Sequence, residues 1–381
     1  MQDRPIWWFF NTMQPNLDIL VPTYVREFEP YIPSKPDAEL KKLYVCERLF
    51  RLNNNENPLG PPPAAQEVIR RFLPPAGAIY PSGDSYYLRH EIASFHGLHP
   101  DQVLVGNGAN EVIAFVIKAF CEKGDNIITA DKTFAVYEWV ATFSGIDARL
   151  VPLKEERFDD GKMLQDIDGK TKIIFICNPN NPTGTYWSKD TLTAFLDAVD
   201  GKQIVVIDEA YFEFVEAADY PDGVTFLKNY ENLVIFRTFS KMYGIAGLRI
   251  GYLMGNLNVV DMIRRTCVVY SVNSIAQEAA LAAFRDGTGH IQRTRELIRQ
   301  SRAFLCEELA GMGLPVIAGE GNYLIVKLPG SDTLAYRKLM REGIMIRPMT
   351  SFRYPNHIRV TLSRMDAMEA FIAALKKILN S

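Results

Sequence analysis

From about residue 100 to residue 255 the chain alternates short apolar runs with longer segments of helical spacing, and few folds accommodate that alternation. The runs Val103–Val105, Asn126–Thr129, Lys172–Ile176, Gln203–Ile207, Leu233–Phe236 and Ile250–Leu253 read as buried strands. Segments such as Asn110–Cys121 and Lys189–Val199 place their apolar residues at helical intervals. Strands that return through helices pair mostly in parallel, and such a sheet is covered on both faces. The expected class is therefore α/β. At 381 residues the chain is also too long for one ordinary core.

The texture changes after about residue 265. A long helical stretch, Ile275–Gly311, leads into Asn322–Lys327, a helix near Leu334–Gly343, the runs Ile344–Arg347 and His357–Leu362, and an amphipathic helix from Ala367 to Leu379. This reads as a smaller α+β domain. Residues 1–50 look irregular, with prolines at 15, 22, 30, 33 and 36, and read as an arm that contributes to the small domain. The expected division is an arm over 1–50, a large domain over 51–265 and a small domain over 266–381.

The formal net charge of −3 offers no general field for nucleic acid or an anionic membrane, so an anionic substrate must be held by a few local arginines. The cysteines at 46, 121, 177, 267 and 306 are odd in number and widely spaced, which argues against a disulfide framework or a zinc site and for a reducing cytoplasm. The histidines form no metal-binding pattern; His96 and His99, beside Gly97 and Pro100, read as solvated loop residues. The run Ile6–Phe10 is too short to span a bilayer, and Trp7 and Trp8 read as part of a packing arm.

Four segments point to chemistry. Gly106-Asn107-Gly108-Ala109-Asn110-Glu111 follows a strand and opens a helix, so its backbone N–H groups suit a phosphate, although many tight turns look the same. Asn178-Pro179-Asn180-Asn181-Pro182-Thr183-Gly184 follows another strand and on its own is a turn cluster. Asp208, in Asp208-Glu209-Ala210-Tyr211, ends a buried strand, where open α/β sheets bind ligands; a helix cap is the plain alternative. Ser240-Lys241-Met242-Tyr243-Gly244, followed by Gly247-Leu248-Arg249, pairs a lysine able to form a Schiff base with an arginine able to fork onto a phosphate. Taken singly, Lys241 would be a surface lysine.

In this order and at these intervals, the segments resemble the class I/II aminotransferases of the large pyridoxal phosphate (PLP) fold, and within them the histidinol-phosphate aminotransferases most. The resemblance runs from about Val25 to the C-terminus and includes Glu29-Pro30-Tyr31, Asn55-Glu56-Asn57-Pro58-Leu59-Gly60 and Tyr80-Pro81. It implies an aspartate aminotransferase-like fold, with a mostly parallel seven-stranded sheet in the large domain. It implies pyridoxal 5'-phosphate on Lys241, which also shuttles the proton, and Asp208 against the pyridinium nitrogen. Asn181 and Tyr211 would bond the ring's phenolic oxygen, with Tyr211 counted beside Lys241 and Asp208 among the catalytic residues, and Phe134 would stack on the ring. The phosphate would lie on the backbone of Ala109 and Asn110 and on Ser240 and Arg249, with Tyr80 reaching it from the partner of a homodimer. Tyr31, Arg347 and Arg359 would hold the anionic end of an amino-acid or amino-phosphate substrate, and 2-oxoglutarate would be the co-substrate.

The chain departs from the family at Asn110, where relatives usually carry Asp, and at Phe134, where many carry Tyr. It lacks the usual glycine after the last arginine's strand (Thr361-Leu362-Ser363), and it adds Arg353. The first 24 residues have no recognised counterpart. For Arg353, in its loop, a surface carboxylate is the expected partner. The alternative activity is that of a threonine-phosphate decarboxylase-like enzyme, kept open by Tyr270-Ser271-Val272-Asn273 and Arg353. A ligand-sensing regulator ranks far lower, because the proline-broken arm shows no helix-turn-helix.

Overall fold

The computed structural model describes residues 17–29, 35–72 and 76–380. Tyr31, Trp7 and Trp8 lie outside them. The alternating region forms β1 (Val103–Gly106), β2 (Asn126–Ala130), β3 (Asp147–Val151), β4 (Thr171–Cys177), β5 (Ile204–Asp208), β6 (Leu233–Thr238) and β7 (Gly251–Gly255). They make one seven-stranded sheet in the order β1-β7-β6-β5-β4-β2-β3. β7 runs antiparallel to both neighbours, and every other pair is parallel. Every residue of β6 is buried, and β4 and β5 are almost continuously so, as expected of strands covered on both faces.

Register brings the chemistry to one edge. Cys177 pairs with Asp208, and Asp208 with Phe236, so β4, β5 and β6 end side by side. The turns that follow them, carrying Asn181, Tyr211 and Lys241, open on that edge, the carboxyl edge at which α/β sheets bind ligands.

A second sheet, entirely antiparallel, contains β8 (Val316–Ala318), β9 (Tyr323–Lys327), β10 (Arg347–Pro348) and β11 (His357–Thr361), in the order β10-β11-β9-β8. Phe50–Arg51 pairs in parallel with Ile344–Met345, and Leu52 O accepts the N–H of Thr361 at 2.9 Å, so the chain just after the arm is tied to the small sheet.

Several elements differ from the sequence expectation. β3 is absent from the apolar runs because it is an edge strand whose Asp147 is exposed and whose Arg149 pairs with Asp168. The stretch Ile275–Gly311 is two helices, Ser274–Phe284 and His290–Gly311, parted at Gly287 and at Gly289, which has a φ of 79°. Ile344–Arg347 divides between two sheets. The arm holds the helix Asp37–Tyr44 and a turn of helix at Thr23–Arg26. His96 is not in a loop. It ends the helix Tyr86–His96, and burial pushes its pKa down to about 4.

All five cysteines are unpaired. Among the described residues, no helix is long and apolar enough to cross a membrane.

Candidate active site

A cavity of about 760 Å³ opens where the large sheet's carboxyl edge meets the small sheet. That volume suits a small organic ligand. Ala109, Asn110, Phe134, Asn181, Asp208, Tyr211, Ser240, Lys241, Arg249, Arg347 and Arg359 all line it, although they come from parts of the chain as distant as 109 and 359. Tyr80 does not. It is 80% exposed and stacks on Tyr270 at 5.0 Å, and its neighbour Ile79 and Val269, beside Tyr270, are exposed as well.

At the floor, Asp208 is buried. One oxygen accepts the phenol of Tyr137 at 2.5 Å, and the other accepts the N–H of Ala210 at 3.0 Å. Burial raises the Asp208 pKa, while the two hydrogen bonds and the Lys241 charge oppose the rise. Tyr137 is itself fully enclosed and stacks on Phe175 at 4.8 Å. It was not among the expected site residues. Its only signal in the sequence is its place one helical turn beyond Phe134.

Lys241 is partly accessible, and what it opens onto is the cavity. Its Nζ donates to Asn54 O at 2.8 Å. Loss of water contact and the charge of Arg359 push its pKa down to about 7, with Glu56 acting against them. Such an amine is a far better nucleophile and base at neutral pH than an ordinary lysine. Tyr211 accepts the side-chain amide of Asn55 at 2.9 Å.

One end of the cavity is built for an oxyanion. No side chain caps the helix Ala109–Phe120, so its first N–H groups face outward. Arg249 has no carboxylate within ion-pair distance among the described residues. Its guanidinium lies so close to Gly108 that a Cβ there would be 2.5 Å from Nη2. Ser240 Oγ is 3.4 Å from Arg249 Nη1. A helix terminus, a hydroxyl and an unpaired guanidinium in one corner form the donor set of a phosphate.

The turn at 178–184 is fixed from several sides. Thr133 donates to Asn180 Oδ1 at 2.8 Å, and Tyr323 donates to Asn180 O at 2.6 Å. Gly184, at a φ of 72°, approaches Gly319 so closely that a Cβ would lie 2.8 Å from the latter's Cα. These contacts present Asn181, whose Oδ1 accepts from Arg359 Nη1 at 2.5 Å, with its amide nitrogen left to the cavity.

At the other end stand Arg347 and Arg359, directly opposite each other across the β10–β11 ladder. Like charges in that position are destabilising without a counter-ion. Arg359 is only 5% exposed, its Nε has no partner, its terminal nitrogens donate to Asn181 and to Asn53 O at 2.8 Å, and its guanidinium lies 5.6 Å from the Tyr323 ring. Neither arginine has a carboxylate within ion-pair distance among the described residues. Phe352 lies 5.4 Å from the Arg347 guanidinium and 5.9 Å from that of Arg359. Val136, Trp139 and Phe143 add an apolar wall. Arg353 instead binds Glu138 through both nitrogens, at 2.8 and 3.0 Å.

These residues fit a phosphorylated pyridine aldehyde: an oxyanion corner, an activated lysine, a buried carboxylate and, beyond them, a separate cationic pair. Comparison with known proteins agrees. The profile of the family described as aminotransferase class I and II matches residues 47–375. A histidinol-phosphate aminotransferase from Anaeromyxobacter sp. is 36% identical over 364 residues, covering 95% of this chain and 100% of that protein. The crystal structure of the Sinorhizobium meliloti histidinol-phosphate aminotransferase in complex with pyridoxal-5'-phosphate has the same fold, with a TM-score of 0.84 at 24% identity, over 93% of this chain and 98% of that one. Thermotoga maritima aspartate aminotransferase superposes with a TM-score of 0.82 at 23% identity, covering 95% and 100%.

Proposed function

The chain belongs to the class I and II aminotransferases, pyridoxal 5'-phosphate-dependent transferases, and from that premise we propose that it moves the amino group of histidinol phosphate, or of a related and possibly aromatic amino acid, to 2-oxoglutarate. Bound in the cavity, pyridoxal phosphate supplies an electron sink for the substrate's α-carbon. Lys241 Nζ would hold the cofactor's aldehyde carbon, and as a free amine, with its pKa pushed down by burial and by Arg359, it would take and return the α-proton. Asp208 keeps the pyridine nitrogen protonated, and Tyr137 helps keep Asp208 ionised by donating to it. The N–H groups of Ala109 and Asn110, with Ser240 and Arg249, bind the phosphate. Asn181 and Tyr211 orient the phenolic oxygen, and Phe134 covers the ring and excludes water.

One observation carries the substrate assignment: Arg347 and Arg359 face each other, and neither has an acid of its own. A buried guanidinium without a counter-ion is costly, so the missing anion belongs to the ligand. Names of relatives such as the Anaeromyxobacter enzyme point to histidinol phosphate, and the apolar wall suits a flat ring. Tyr31 joins this set on the resemblance alone. The test incubates the protein with a panel of amines and 2-oxoglutarate while following glutamate and carbon dioxide. Glutamate formed from histidinol phosphate supports the proposal, and carbon dioxide without glutamate rejects it in favour of decarboxylation. The features behind that alternative have other employment here: Ser271 donates to Glu111, and Asn273 caps a helix.

The exposed patch around Tyr80 and Tyr270 is proposed as the seat of a second copy, with Tyr80 completing the partner's phosphate site. Mixing inactive Tyr80→Phe and Lys241→Ala chains should then restore activity. Recovery no greater than background argues against shared sites.

A further inference from the structure

Arg353 stands at a φ of 62°, a left-handed conformation that side chains other than glycine seldom adopt. Such strain persists only where the surroundings enforce it, and it gathers at functional sites. The enforcing contacts are visible. Both terminal nitrogens of Arg353 engage Glu138, and Nη1 also donates to Asp131 O at 3.0 Å. The next residue, Tyr354, donates to Glu156 and lies 5.4 Å from the Lys132 amine. On the other side of the turn, Thr350 donates to Asp332 from both N and Oγ1. Glu138 belongs to the helix Val136–Phe143, whose Trp139 and Phe143 form the apolar wall of the cavity. Arg353 therefore ties the turn between β10 and β11 to the facing wall of the cleft. The residue it immobilises most directly is its neighbour Phe352, the ring beside both Arg347 and Arg359.

We propose that Arg353 is a positioning residue for the anion site: by gripping Glu138 across the cleft it holds Phe352 against the two guanidiniums and fixes their geometry for one phosphate or carboxylate. This rests on the assignment of Arg347 and Arg359 as that site. Arg353 does not touch the anion itself, because Glu138 already occupies its fork.

The test uses the holoenzyme, with inorganic phosphate titrated by calorimetry alongside steady-state kinetics. Arg353→Gly suits the backbone conformation, so folding and cofactor absorbance should survive. Phosphate affinity should fall, and KM for the amino substrate rise, by about tenfold, with kcat changed much less, as expected when oriented groups lose their placement. Glu138→Gln should reproduce this. The double variant Glu138→Arg with Arg353→Glu should recover most of the loss that either single reversal causes. Unchanged phosphate affinity in Arg353→Gly overturns the proposal. So does a loss in Arg353→Gly that Glu138→Gln does not share, because Arg353 would then contact the anion directly. Arg359→Lys is the control: if it alone weakens phosphate binding, only the positioning role of Arg353 fails, and if it does not, the anion-site assignment falls too.

Discussion

Arg237 and Arg359 are buried to almost the same depth, 3% and 5% exposed, yet the protein surrounds them differently. Arg237 donates to Glu209 at 3.0 and 2.8 Å and to Asp222 at 2.7 Å, and the Phe212 ring lies 3.6 Å from its guanidinium. Burial works against its charge, but Glu209, Tyr252 and Asp222 outweigh burial and raise its pKa. Arg359 has an amide, a carbonyl, two more distant rings and another arginine, but no carboxylate. Burial and the like charge of Arg347 lower its pKa, with Tyr211 opposing. The same residue at the same depth thus serves two purposes. Where the protein supplies the counter-charge, the arginine belongs to the architecture. Where it withholds the counter-charge, as at Arg359, the arginine is proposed to wait for a ligand.

If the cavity serves chemistry and the Arg237 cluster stability, the largest effect on turnover should come from the cavity's lysine. Lys241→Ala should lower turnover by about four orders of magnitude or more. Borohydride should no longer fix the cofactor to the peptide around residue 241, and the melting temperature should move little. If the reduced peptide contains another lysine, the cavity has been misread.

Next is the pair itself. Arg237→Met leaves Glu209 buried without its partner and should cost about 3–5 kcal/mol in urea unfolding. Arg359→Met removes a buried charge that had no acid, so it should cost far less, or stabilise, while abolishing saturation by the amino substrate. Equal losses of stability would erase the distinction between the two arginines.

Asp208 is the buried carboxylate proposed to serve the ligand. Asp208→Asn should keep the cofactor bound but slow α-proton removal by about a hundredfold or more, because a neutral amide cannot hold the pyridinium proton. Tyr137→Phe removes a donor that favours the charged carboxylate, so the Asp208 pKa should rise further. The effect on rate should follow the same direction and be smaller, about tenfold. A Tyr137→Phe enzyme with an unchanged rate and an unchanged spectrum across pH would reduce Tyr137 to a packing residue.

Much of this was legible in the sequence because it is local. Lys189–Val199 matches its helix to the residue, and all six strand runs lie within two residues of β1, β2, β4, β5, β6 and β7 at either end. Asp208, Lys241 and Arg249 each announce themselves within a few residues of a strand end. Arg359 could be singled out because Ile358 and Val360 flank it and imply burial. What could not be read depends on register or on distant partners. The opposition of Arg347 and Arg359 appears only once β10 pairs with β11. Tyr137 meets Asp208 across 71 residues of chain. Glu209 meets Arg237 across 28 residues of chain. β3 escaped because an edge strand needs few apolar residues.

The smallest effect separates the two regions by pH. Burial raises Glu209 and Glu213 to about 7, so these carboxyls bind protons more tightly folded than unfolded. Their contribution to stability is complete below the ordinary carboxyl pKa of 4.5 and is lost as pH rises to about 7. Lys241 has the opposite sign. Its pKa falls from 10.5 to about 7, so between those values the unfolded chain binds the extra proton and stability rises with pH. Just above pH 7 the two carboxyls are still titrating, so the lysine is seen only by difference from a protein that lacks it. The apoprotein, in which the amine is free, should therefore gain stability from pH 7 to 9 relative to Lys241→Met, by less than about 1.4 kcal/mol per pH unit for one proton. Urea unfolding of both proteins at pH 7, 8 and 9 isolates the lysine, because every other group cancels in the difference. Parallel curves would mean that Lys241 keeps an ordinary pKa. The cavity would then lack the activated amine on which its distinction from the Arg237 cluster rests.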